Sequence, residues 1–183
     1  MSFIARQVRA IFVSVTKLRI VMEYNHFAYC ERLARHLKAV AHTDARPRFF
    51  TAFGLEDLYN FEDRLSGVTG TVMIAVDGQE SESADNGADA LSDNDTYSII
   101  LARNTQRDKP QTRDEAVAAC KQLAKQVRNF LLADPDLSHT HLIDRNTTIN
   151  GIGPIGDGFY GVVLTYRIIS HDSFMVEPEY WHE

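Results

Sequence analysis

The sequence has 183 residues, which is enough for one domain with a full hydrophobic core and too few for two domains of ordinary size. Hydrophobic residues make up 44% and charged residues 24% of the chain, as in a typical soluble globular protein. The net charge of −6 argues against a general affinity for nucleic acid, so we expect no nucleic-acid partner. Cys30 and Cys120 fit no metal or redox spacing, and we expect both to be buried free thiols.

Residues 1–21 form a basic segment without acidic residues. Its basic residues are Arg6, Arg9, Lys17 and Arg19. The longest uncharged run, Ala10 to Thr16, has seven residues, which is too short to span a bilayer, so we expect no membrane partner. Three interpretations are open: an ordered strand or helix, a weak export or membrane-surface segment, or a translation start placed too early. We favour a misplaced start or a loosely attached arm, with Met22 as the natural start of a single domain over 22–183.

The first half of this domain combines a helix with strands. Asn25 can cap a helix over about 26–41, whose apolar residues recur at spacings of three and four. Residues 48–53 and 70–78 are rich in apolar and β-forming residues and predict two strands. The residues between them predict a short helix or an ordered loop.

An acidic segment follows at residues 79–95, with six acidic residues and no Lys or Arg. This composition predicts a solvated, mobile loop that binds cations weakly at most. Residues 95–103 then alternate between larger apolar and smaller side chains, which predicts the strand that pairs with 70–78.

The second half contains the clearest helix of the sequence. Thr112 and Glu115 have the T-x-x-E spacing of a capping box, and an apolar stripe follows, which predicts a long amphipathic helix over about 112–133. Two strand-like segments come next, at 141–153 and 159–172. Because the strands occur mostly in adjacent pairs, we predict an α+β fold with a mainly antiparallel sheet and both helices packed on it.

Two groups of residues have part of a metal-site pattern. His139 and His141 alternate as on a strand edge, with Asp136 and Asp144 near them in sequence, but neither Cys nor Glu completes a zinc site, and a solvated turn is the favoured interpretation. The acidic loop lacks the glycine and terminal glutamate of a calcium loop. We therefore predict no metal site and no cofactor, and we assign no catalytic residue because no catalytic motif is present.

The stretch GIGPIG at residues 151–156 matches the G-x-G-x-x-G pattern of dinucleotide-binding loops. Such a loop needs a following helix, whose N-terminal amides bind the pyrophosphate. The residues after GIGPIG alternate like a strand instead, and proline removes one amide from the cradle. We therefore predict a hairpin connection in which glycines adopt positive φ. The predicted turn residues are Gly151, Gly153, Pro154, Gly156 and Gly158.

Three segments carry a resemblance to a known family: TYSIILARNTQRD, TRDEAVAACKQLAKQVRNFLLADP and GPIGDGFYGVVLTYRI. With the leading helix and the loop-bearing pair of strands, they form an arrangement that resembles phage tail-terminator and tail-completion proteins. More narrowly, it is similar to the small tail-assembly proteins of prophages and contractile injection systems. The resemblance covers about 22–170 as a pattern of elements, and the acidic loop and the basic N-terminus depart from it.

The resemblance implies a homo-oligomeric ring, usually sixfold, that caps or joins a protein tube. The protein would be cytoplasmic during assembly and then part of the virion or tail particle. It would contact tail-tube or connector proteins through sheet edges and loops. Tyr180 and Trp181, in the short tail 171–183, are candidate interaction residues, or else part of a partly ordered terminus. The alternatives are a small α+β enzyme or ligand-binding domain of unrecognised type, and a monomeric adaptor that binds a peptide at its sheet edge.

Overall fold

A computed structural model describes residues 24–85, 87, 91–135, 137, 142–172, 176 and 178–182. The predicted arm at 1–21, Asp136 and the alternating pair His139 and His141 lie outside the described residues. Within them, the predicted class is confirmed: the fold is α+β, with a mostly antiparallel open sheet, a long helix and an N-terminal helix.

Three α-helices and seven strands can be given bounds within the described residues. The helices are α1 (His26–His36), α2 (Phe61–Leu65) and α3 (Gln111–Ala133). The strands are β1 (Phe49–Phe53), β2 (Thr71–Asp77), β3 (Ser81–Asp85), β4 (Leu91–Asn104), β5 (Leu142–Ile143), β6 (Thr148–Ile155) and β7 (Phe159–Asp172). Short 3₁₀ turns lie at Glu56–Asn60 and Pro178–Tyr180.

The two long strands β4 and β7 form the centre of the sheet. The strand order is β1-β2-β4-β7-β5, with β3 also pairing with β4 and β6 also pairing with β7. Only the pairing of β1 with β2 is parallel among these strands. At one end of the sheet, β3 pairs with the first residues of β4 and β5 pairs with the last part of β7. At the other end, β2 pairs with the second half of β4 and β6 pairs with the first half of β7.

Both faces of the sheet are covered at its middle, which explains why residues 72–76 of β2 and 99–102 of β4 are continuously apolar. All residues of 72–76 and 97–102 are buried. On one face, α1 and α3 pack against side chains such as Met73 and Leu164. On the other face, α2 contributes Phe61 to a second, smaller core. A strand with one solvent-exposed face would alternate between apolar and polar residues, so these runs of consecutive apolar residues reflect burial on both faces.

The two long helices differ from their predicted ends. The Asn25 cap is confirmed, because its side chain accepts a hydrogen bond from the Ala28 amide at 2.9 Å. Helix α1 ends at His36 rather than near 41, because Leu37 is already extended, although Val40 still packs into the core. The predicted capping box of α3 is wrong. The helix begins one residue earlier, and the Thr112 hydroxyl lies inside the first turn, where it donates to the Lys109 carbonyl oxygen at 2.7 Å.

The acidic segment 79–95 is not a solvated loop, and that prediction is wrong. Most of its described residues belong to β3 and the start of β4, which pair antiparallel. Serine hydroxyls of β3 donate to aspartates directly opposite on β4, Ser81 to Asp95 at 2.6 Å and Ser83 to Asp93. Arg167 of β7 lies 3.6 Å from a Glu80 carboxylate oxygen and offsets part of the charge. Cross-strand pairing thus satisfies side chains that would otherwise favour a loop.

The glycine-rich stretch is divided between a strand and a turn. The prediction that a strand follows it is confirmed, because β7 begins at Phe159. The prediction that Gly151, Gly153 and Pro154 are turn residues is wrong, since all three lie in β6. The pairing of β6 with β7 shifts register between Ile152 and Ile155, where the Gly153–Pro154 bond is cis, and it resumes at Ile155. The turn is therefore short and is formed by Gly156 to Gly158, where both glycines have positive φ, +50° and +93°.

Gly161 provides a sharp test of the central pairing. It lies in β7 opposite Ala102 of β4, and a Cβ atom added to it would overlap the Leu101 carbonyl oxygen and lie 2.6 Å from the Ala102 Cα. We expect Gly161→Ala to lower the free energy of unfolding by about 1–3 kcal/mol, as overpacking does. Urea-induced unfolding measures this change.

The matched control is Gly151→Ala in the neighbouring strand β6. A Cβ atom at this position meets no atom within 4 Å, and its φ is not in the left-handed region. The control should be neutral or slightly stabilising. Equal destabilisation by both substitutions would contradict the close approach of β4 and β7.

Candidate functional site

A buried polar cluster joins α1 to the centre of the sheet. His26, the first residue of α1, is 2% exposed, and its Nε2 lies 3.1 Å from the Ser98 carbonyl oxygen. Its Nδ1 lies 3.2 Å from the hydroxyl oxygens of both Tyr24 and Tyr166, which are 2.9 Å from each other. Because a carbonyl oxygen only accepts, Nε2 carries a proton, and in the neutral imidazole Nδ1 accepts from a tyrosine hydroxyl. Both ring nitrogens therefore have hydrogen-bond partners.

The same cluster brings a cysteine next to the histidine. The Cys30 sulfur lies one helical turn away from His26, 3.6 Å from Nδ1. A nucleophilic pair would need a thiolate beside a base or an imidazolium. Burial has the opposite effect on both groups, since it lowers the pKa of His26 to about 4 and raises the pKa of the Cys30 thiol. Both shifts disfavour the charged thiolate–imidazolium pair, and the hydrogen bonds of the cluster join α1 to the sheet.

A second buried bond ties α1 to the end of α3. The Tyr29 hydroxyl donates to the Asp134 carboxylate at 2.7 Å, and Asp134 is fully buried. Burial, followed by the charge of Asp134, raises the pKa of Tyr29, which keeps the phenol as a donor. Asp134, the residue that follows α3, therefore links the end of this helix to α1.

Sequence reasoning missed this cluster. Its one local signal is the four-residue spacing of His26 and Cys30 on α1. The partners Ser98 and Tyr166 are 72 and 140 residues from His26, so no spacing rule connects them. Among the described residues, no group of three or more His, Cys, Asp or Glu side chains could hold a metal ion. Nor does that part of the chain contain a helix both long enough and apolar enough to cross a membrane.

The two edges of the sheet are exposed to different degrees. At the β1 edge, Arg64 donates to the Thr51 carbonyl oxygen at 2.8 Å and the Asp57 carboxylate accepts from the Phe53 amide at 3.3 Å. These side chains form hydrogen bonds with backbone groups that could otherwise pair with another strand. At the other edge, β6 carries no charged residue and is largely exposed. No strand pairs with its outer side in the described part of the chain.

Exposed apolar side chains are concentrated at two places. Phe53, Leu55 and Tyr59 lie at the end of β1 and in the 3₁₀ turn after it, and Tyr59 is 89% exposed. The candidate interaction residues Tyr180 and Trp181 lie in and just after the last 3₁₀ turn and are 76% and 70% exposed. Exposed aromatic residues are typical anchors of protein interfaces. Both groups therefore belong to the candidate assembly surface, together with the β6 edge.

The chain matches no protein-family model, and no curated protein matches its sequence.

The burial of His26 predicts a pH dependence of stability. A histidine in the unfolded chain has a pKa of about 6.5, and the folded value is about 4. Because the folded value is the lower one, the unfolded chain binds the proton first as the pH falls. Stability from this group is present above pH 6.5 and is lost progressively toward pH 4, by roughly 3 kcal/mol in total. Unfolding in urea at a series of pH values measures the loss.

Substitution tests whether His26, rather than another titrating group, causes this pH dependence of stability. His26→Gln retains an amide that can donate to the Ser98 carbonyl, but it removes the titration, so its stability should change less between pH 6.5 and 4.5. His36→Gln is the control, because His36 is exposed on the same helix. An unchanged pH slope in His26→Gln would disprove the assignment.

Proposed function

We propose that this chain is a structural subunit of a phage-like tail, of the terminator or completion type, that assembles into a homo-oligomeric ring. The observation that carries the proposal is the uncharged, exposed edge of β6. From Thr148 to Ile152 this strand pairs regularly with β7 on its inner side. Natural proteins usually protect such an edge with charge, proline, bulges or a cover. In β6 the register shift and Pro154 come after Ile152, so the stretch from Thr148 to Ile152 carries none of these devices itself and is a template for pairing with another chain.

The arrangement of the surfaces suits a ring. A closed ring needs a heterologous contact, in which one surface of a subunit meets a different surface of the next. The β6 edge and the apolar group of Phe53, Leu55 and Tyr59 lie at opposite edges of the sheet. A contact between them would run head to tail around the ring. Tail-tube or connector proteins are the expected partners of the assembled ring.

The alternative, a small α+β enzyme or ligand-binding domain, has less support from the geometry. The His26–Cys30 pair is neutral and buried. Four clefts at the described surface have volumes of about 210 to 340 Å³. These volumes are at or below the lower part of the roughly 300–1,000 Å³ range of small-molecule pockets. A surface built for contact with other proteins fits these features better.

The β6 edge can be tested at Gly151. Because an added side chain meets no atom there, Gly151→Lys should leave the monomer folded while placing a charge on the edge. We expect the unchanged chain to form rings at micromolar concentration. Gly151→Lys should raise the concentration below which the ring dissociates at least about 10-fold, which corresponds to a loss of about 1.4 kcal/mol or more of contact energy. Sedimentation velocity over a concentration series measures both.

Gly151→Ala is the matched control, because it changes the same position without charge and should still assemble. A monomeric unchanged chain at all concentrations would overturn the ring. Unaltered assembly of Gly151→Lys would show that the ring forms through another surface.

A further inference from the structure

A cleft of about 320 Å³ lies between α3 and the paired ends of β2 and β4. Its strand side carries Thr71 and Arg103, which lie opposite each other in that pairing. Its helix side carries Gln122 and Gln126, one turn apart on α3. The volume is at the lower end of the roughly 300–1,000 Å³ range of small-molecule pockets, so the cleft suits a short ligand or a single side chain rather than a cofactor.

Arg103 is the one charged residue in the described lining of this cleft. Its side chain forms no salt bridge or hydrogen bond with another described residue. Ile99 and Leu101 precede it on the same face of β4 and belong to the core beneath α1 and α3, so the Arg103 side chain lies on the α3 face of the sheet. An unpaired guanidinium beside a cleft is a binding group for an anion.

A buried thiol, Cys120, also lines the cleft and is 1% exposed. Burial raises the pKa of Cys120 to about 11, and the positive charge of Arg103 acts in the opposite direction. The guanidinium and the thiol are therefore close enough to interact electrostatically. Because its pKa is far above 7, Cys120 stays a thiol and is not a nucleophile, so the cleft is suited to binding and not to covalent chemistry.

The polar groups of the lining match a carboxylate. The planar guanidinium of an arginine binds a carboxylate through two parallel hydrogen bonds. The Thr71 hydroxyl and the amides of Gln122 and Gln126 supply further donors. A phosphate carries more charge and usually binds to several cations or to backbone amides at a helix N-terminus. This lining has one cation and lies along the middle of α3, so a carboxylate fits it better.

Apolar side chains complete the cleft. Ala39, Ala119 and Leu123 line it beside the polar groups. A small inorganic anion would leave these side chains in contact with water, whereas a short hydrocarbon chain attached to the carboxylate would be stabilised by contact with them.

We propose that this cleft binds a carboxylate on a short aliphatic chain, with Arg103 pairing with the carboxylate and Leu123 contacting the hydrocarbon part. A free short-chain carboxylic acid and the glutamate side chain of another protein share this chemistry. The site does not depend on the ring proposed above, because its lining comes from a single chain.

Butyrate tests the site. Saturation-transfer NMR on butyrate detects weak binding to the full-length chain, whether it is a monomer or a ring. We expect saturable transfer with half-saturation at about millimolar concentration, as is usual for so small a ligand. Butanol has the same hydrocarbon chain without the charge and should bind at least about 10-fold more weakly. Inorganic phosphate should displace butyrate less effectively than acetate does.

Two substitutions assign the binding to this cleft. Arg103→Gln removes the charge and should weaken butyrate binding at least about 10-fold. Ala119→Glu places a carboxylate of the chain itself in the lining and should block butyrate. The matched controls are Arg145→Gln and Ala118→Glu, at exposed residues outside the lining. Both controls should bind butyrate within about two-fold of the unaltered chain, since exposed charges interact weakly.

Thermal unfolding checks that each variant is folded. Absence of saturable transfer to butyrate would overturn the site, as would equal binding of butanol. Unchanged binding by folded Arg103→Gln would overturn the pairing with Arg103. Phosphate that displaces butyrate more effectively than acetate would overturn the preference for a carboxylate.

Sedimentation velocity then identifies the source of the natural carboxylate. If it belongs to a neighbouring copy, saturating butyrate and Arg103→Gln should both raise the concentration below which the ring dissociates. If it belongs to a free acid or to a different protein, ring assembly should be the same with and without butyrate. Either result supports the site once butyrate binding is established. A chain that stays monomeric and still binds butyrate would overturn the ring and support the site.

Discussion

The pairing of β4 with β7 is the contact on which the rest of the structure depends. The two strands are in register over 14 residues, from Leu91 opposite Asp172 to Asn104 opposite Phe159. Every other strand except β1 pairs with one of them. Because neighbouring residues of a strand point to opposite faces, this one register decides which side chains meet α1 and α3 and which meet α2. A slip by one residue would exchange the two cores.

The buried polar cluster fixes how α1 docks on this sheet. His26 stacks on Tyr97 with ring centroids 4.7 Å apart, and it also contacts Tyr166, the residue opposite Tyr97 in the central pair. An apolar helix face alone tolerates small shifts along a sheet. The hydrogen-bonded imidazole of His26 prevents such shifts, because a shift would leave buried polar atoms without hydrogen bonds. The bond between Tyr29 and Asp134 sets the position of α3 against α1 in the same way.

Elements with long, regular patterns could be predicted from the sequence, and contacts between distant segments could not. The helix α3 and the strand β7 each carry a periodic pattern along most of their length, so their type and approximate bounds were predictable. The β3 hairpin was not, because residues such as Ser83 and Asp93 are typical of loops, and they are strand residues here because they pair across the two strands. For the candidate site, the exposed Trp181 was predictable from its position. The position of β6 at an edge was not, since its sequence does not show that β7 is its one partner in the described sheet.

Charge at the far end of the sheet limits how copies of the chain can meet. The paired β3 and β4 extend the sheet there with five carboxylates, on Glu80, Glu82, Asp85, Asp93 and Asp95. The ion pairs with Arg167 offset only part of that charge. Two such ends brought together would repel, since like charges across an interface oppose association. In the proposed assembly, contacts between identical subunits are therefore favoured at the uncharged sides of the sheet, where β6 lies.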